Sequence, residues 1–110
     1  SVTPADNTDK TDLSSQDYIF PDSNSRYLTD EDLSGYSSDQ LELAKNEIYA
    51  RHGRKFVTQR IADYFNSKSW YKGTVEPETF DADTSVFNEY EVANIQKIAD
   101  TEGKLRSEGK

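Results

Sequence analysis

Residues 38–56 read SDQLELAKNEIYARHGRKF, and the fold turns on how this stretch is read. Ser37 or Ser38 can supply an oxygen to the free amides of a helix start, Asp39 sits in the first turn, and Ser37 with Gln40 has capping-box spacing. Gly53 marks the stop, because the residue just past a helix end is commonly left-handed and only glycine adopts that conformation cheaply. Arg51, His52, Arg54 and Lys55 put positive charge near the C-terminal carbonyls. At 3.6 residues per turn Leu41, Ala44, Ile48 and His52 share one face, Leu43 and Ala50 point the other way, and Tyr49 falls between. A helix with two partly apolar sides is expected at the centre of a domain, with other segments packed around it.

Outward from this helix, Tyr18-Ile19-Phe20-Pro21 is a short apolar run expected to lie extended, and residues 22–25 have turn composition. Thr29 with Asp32 fits the cap spacing of a short helical turn that holds Leu33 and closes at Gly35. Beyond Gly53, residues 54–57 should be extended with Phe56 as a core contact. Thr58 can cap a helix over residues 59–66, with Ile61, Tyr64 and Phe65 on one face. Residues around Gly73 and Pro77 read as a loop anchored by Phe80. The last helix begins at Asn88, which has N-cap spacing to Glu91, while Phe87 and Val92 match a hydrophobic staple. Val92, Ile95, Ile98 and Ala99 then form its apolar stripe, expected to end near Thr101 ahead of Gly103. The fold class that results is all-α: a small helical domain with two longer helices, one or two short ones and extended loops.

One domain fits in 110 residues, and a 33% hydrophobic content leaves part of the chain outside any core. Residues 1–17 hold three apolar residues among Ser, Thr, Asp and Asn and read as an acidic linker; 18–102 is the foldable unit, and 103–110 a frayed tail. Cysteine is absent, so neither disulfides nor thiolate metal sites are available. No apolar run reaches the roughly 20 residues of a membrane helix, and no signal-peptide pattern opens the chain. The net charge of -8 argues against nucleic acid and anionic membrane as partners. Yet residues 45–72 carry seven basic residues against Glu47 and Asp63, a +5 segment in a chain whose remainder is -13. Either this segment folds against the acidic third of the chain or presents a solvated face, or it is a docking patch for an anionic polymer.

Residues with chemical potential were weighed individually. His52 is the only histidine, so a zinc site would need carboxylates alone, and no G-x-S-x-G or comparable context supports a nucleophile. Its expected role is structural, bonded to a carbonyl or carboxylate. Asp81, Asp83 and Ser85 resemble the start of a calcium loop, but Val86 and Val92 occupy its glycine and glutamate positions. Paired carboxylates such as Asp30/Asp32 and Glu76/Glu78 read as solvated faces, and no phosphate-cradling glycine loop occurs. Tyr64, Phe65, Trp70, Tyr71 and Phe80 cluster beside the basic stretch; Phe65 and Trp70 are expected inside and Tyr71 outside.

Tyr49-Ala50-Arg51-His52-Gly53, with Asn46-Glu47-Ile48 and Phe56 around it, resembles the YARHG domain family. The likeness extends through Tyr18-Ile19-Phe20-Pro21, Leu28-Thr29, Asp32-Leu33, Leu41, Tyr64-Phe65, Trp70-Tyr71 and Asn88-Glu89-Tyr90-Glu91 with Asn94-Ile95, covering about residues 18–102. Lys45 stands where the family more often has arginine. The resemblance implies an extracellular module of bacterial envelope proteins, without enzymatic activity, tethered through a segment outside this chain. The expected function is binding or sensing, with a cell-wall or anionic envelope polymer as ligand and Arg51, Arg54, Lys55, Arg60, Trp70 and Tyr71 as its surface. The alternative is a regulatory module that binds another envelope protein. A hydrolase has no pairable nucleophile and base. No cofactor or metal is expected, and Asn46, Glu47, Tyr49, His52 and Gly53 are assigned to a structural motif.

Overall fold

The computed structural model describes residues 18–109; the expected linker and Lys110 lie outside the described residues. Among the described residues five helices occur in the order α1 (Asp30–Leu33), α2 (Ser38–Ala50), α3 (Gln59–Asn66), α4 (Pro77–Ala82) and α5 (Glu89–Ser107). Among the described residues there is no β-strand, only one isolated parallel bridge between Arg54 and Val75. The all-α expectation therefore holds.

Three starts follow the local chemistry read from the chain. Thr29/Asp32, Ser37/Gln40 and Asn88/Glu91 each form a reciprocal capping box at the head of α1, α2 and α5. Thr58 does stand at the N-cap of α3, but its side chain makes no capping bond. α2 is the central helix. On one side Leu41, Ala44 and Ile48 pack with Ile98 of α5 and with Ile19, Phe20, Leu28 and Leu33. On the other, Ala50 meets Ile61 and Phe65 of α3, beside Phe56, Trp70 and Tyr71.

Three expectations are corrected. Residues 77–82 are helical rather than loop, which makes three short helices instead of one or two. Pro77 sits at the first helical position, where its fixed φ suits a helix, and buried Phe80 anchors the turn. α5 does not stop at Gly103 but runs to Ser107, with Leu105 packed against the main core. Finally, Val92 is 54% exposed and lies off the buried face of α5, which is Glu91, Asn94, Ile98 and Glu102. This face lies about one residue round from the apolar stripe, because each of those polar side chains has a partner inside.

Candidate functional site

The Tyr49–Gly53 word lies at the C-terminal end of α2, and each member except Ala50 ties a different segment to it. The Tyr49 ring packs edge-on against Phe87 at 5.1 Å and tilted against Phe80 at 5.7 Å. Arg51 donates to the Pro21 carbonyl at 3.0 Å and to Ser23 Oγ at 3.5 Å, with its guanidinium 4.6 Å above the Tyr18 ring. His52 Nε2 lies 2.8 Å from Glu91 Oε2, while Glu91 Oε1 accepts the Asn88 N–H. One carboxylate thus closes the capping box of α5 and pins it to the end of α2. Gly53 has φ +92°, and its carbonyl accepts from both Thr74 and Val75 N–H. A Cβ there would stand 2.7 Å from Thr74 Oγ1, so the turn requires glycine on both counts.

Upstream on the same helix, Asn46 Nδ2 donates to the Glu42 carbonyl. Glu47 is fully buried, and its two carboxylate oxygens accept the Ile19 N–H at 2.7 Å and the Phe20 N–H at 3.1 Å. Burial pushes its carboxyl up to about 7, against the pull of those two amides and the charges of Arg51 and Lys68. From α5, Asn94 accepts the Leu28 N–H and donates to the Ser23 and Arg26 carbonyls. Lys45 Nζ stands 3.2 Å from Glu102 Oε1 as a charge contact without hydrogen-bond geometry.

Arg54, Lys55 and Arg60 of the +5 segment meet carboxylates from outside it. Arg54 makes a two-pronged bond to Asp81, both contacts at 3.0 Å; Lys55 pairs with Glu76 at 2.6 Å and Arg60 with Glu42 at 2.6 Å. The Arg54 contacts hold Asp81 below the usual carboxylate range. Lys68 is buried with its ammonium 4.7 Å over the Tyr64 ring.

The structure brings Arg54, Lys55 and Tyr71 together, since the Tyr71 hydroxyl donates to the Arg54 carbonyl. Tyr71 and Lys55 also line a cavity of about 280 Å³ with Phe56 and Asn66. Tyr71 is half-buried rather than the exposed aromatic of the group, and Trp70, also half-buried, stacks on Tyr18 at 4.8 Å. Arg51 faces the 18–23 segment and Arg60 faces Glu42, so neither joins that trio. A groove of about 910 Å³ runs between residues 30–36 and α5 and contains none of the candidate cations or aromatics.

The sequence marks Glu91 as a cap and, with Asn94, as part of the family likeness, but it gives neither a partner across the fold and gives Glu102 no role. Their signal was spacing: 91, 94, 98 and 102 recur on one helical face, and a lone histidine near a helix end needs a carboxylate. Among the described residues no group of three or more His, Asp or Glu side chains stands close enough to hold a metal ion. Asp83 instead accepts the Ser85 N–H in a local turn. Among the described residues no helix is long and apolar enough to cross a membrane.

No curated protein and no solved structure matches the chain. The YARHG domain model matches residues 16–103, and with four-fifths of its length covered the chain belongs to the YARHG domain family.

Proposed function

We propose that this domain is a non-catalytic interaction module working outside the bacterial membrane, and that its ligand is a protein rather than an anionic wall polymer. Membership of the YARHG family supports the extracellular and non-catalytic parts of this reading. The choice between ligands is carried by one observation: Arg54, Lys55 and Arg60 are each neutralised by a carboxylate of the same domain. A polyanion approaching a chain of net charge -8 would have to displace those carboxylates before meeting any of these cations. The polymer reading keeps some support, because Lys55–Glu76 and Arg60–Glu42 are exposed enough to be weak and exchangeable.

The test is co-sedimentation with cell-wall sacculi, with and without their anionic polymers, at low and high salt. The wild-type domain is expected to stay in the supernatant. A Glu42→Gln/Glu76→Gln/Asp81→Asn variant, which frees Arg60, Lys55 and Arg54, is expected to pellet at low salt only, and only where the anionic polymers are present. Salt-sensitive pelleting of the wild type at a level equal to the variant would overturn the protein-partner reading.

A further inference from the structure

Residues 18–23 form a strap without helix or strand, laid across the side of α2, and two side chains one turn apart grip it. Glu47 accepts the N–H groups of Ile19 and Phe20, while Arg51 donates to the Pro21 carbonyl and reaches Ser23 Oγ. The match is chemical as well as spatial: an acceptor of two bonds faces two free amides, and a donor fork faces oxygens. Tyr18 is held from both sides of its ring system, under the Arg51 guanidinium and stacked on Trp70. Beneath the strap the Glu47 carboxyl is fully buried, and the Tyr64 hydroxyl is buried with no hydrogen-bond partner.

We propose that this strap is a pH-sensitive latch, which Glu47 and Arg51 hold shut and which loosens when the buried Glu47 carboxyl ionises. Protonation leaves the carbonyl oxygen as a full acceptor for one strap amide and the hydroxyl oxygen as a weaker acceptor for the other, so the neutral form keeps both contacts. Ionisation places a charge where no water reaches, and opening the strap is the cheapest way to hydrate it. The groups whose charge acts with Glu47 are Arg51 on α2, Lys68 after α3, Tyr36 before α2 and Tyr64 on α3. Arg51 and Lys68 favour the ion; burial works against it and is the larger effect. The closed strap thus binds a proton more tightly than the open one, and raising the pH through neutrality shifts the population toward open.

Amide hydrogen exchange at Ile19 and Phe20 tests this, with each rate divided by the intrinsic rate at the same pH. Between about pH 5 and about pH 8 the protection of these two amides is expected to fall at least about tenfold and to stay below that of Ile48 on α2 at every pH. Trp70, the only tryptophan, should change its emission over the same range as its Tyr18 stack opens. Glu47→Gln should flatten both profiles. Should that variant fail to fold, Arg51→Lys serves: it keeps the positive charge but loses the fork, and is expected to speed strap exchange at every pH while preserving the pH dependence. Protection at Ile19 and Phe20 that is flat or rises with pH, or that equals that of Ile48 at every pH, would overturn the latch.

Discussion

Gly53 and Glu47 show how single residues on α2 carry constraints from distant parts of the chain. At Gly53 a positive φ coincides with the approach of Thr74, whose hydroxyl lies where a side chain would begin. Gly53→Ala is expected to destabilise the domain by about 1–3 kcal/mol, read as a lower urea midpoint; an unchanged midpoint would mean that the turn relaxes freely. Glu47 couples stability to pH. Its carboxyl titrates at about 7 when folded against an ordinary value of 4.5, so the folded state holds the proton more tightly. Its contribution is complete below pH 4.5 and is lost as the pH rises through about 7, a fall on the order of 3 kcal/mol. Urea melts across that window should show wild-type stability declining relative to Glu47→Gln; a relative rise would contradict the burial argument. Asp32 works on the opposite limb: its bonds to Arg26 hold it at about 2, so its contribution is lost only as the pH falls toward that value.

At the scale of elements, α5 departs furthest from expectation. Gly103 looked like a stop, yet it lies in the helix interior with negative φ and open space around its would-be Cβ. Gly103→Ala is expected to stabilise the domain by about 0.5–1 kcal/mol in urea or thermal melts; a helix ending before residue 103 would leave stability unchanged or lower. The helix continues because Leu105 packs on the core and Arg106 pairs with Glu102, contacts that a one-residue propensity does not contain. Its buried face was misphased for a similar reason. The apolar positions of α5 alone favoured Val92, whereas the position of Glu91 was decided by His52, 39 residues away in sequence. α4 escaped notice because its N-cap residue, Glu76, makes no side-chain cap; Phe80 was legible as an anchor, but the helix around it was not.

For the molecule as a whole, stability depends on α2 being covered on both sides. Ile48 is fully buried among residues from the strap, α1 and α5, so Ile48→Ala should cost about 2–5 kcal/mol. Thermal melts followed by circular dichroism check this, and a loss well under that range would show that the site collapses around the missing atoms. Such a loss is a large share of what a single small domain possesses.

By itself the sequence determined the helical class, the three capping boxes, the central place of α2 and the family, since these follow from local bonding and from periodicity within one segment. The partners of the charges were decided only in the tertiary structure. A count of +5 over residues 45–72 reads the same whether the cations face solvent or carboxylates. Their neutralisation by Asp81, Glu76 and Glu42 depends on packing that brings α4, the loop before it and α2 alongside. Coulomb attraction acts through distance in space, and separation along the chain does not report it.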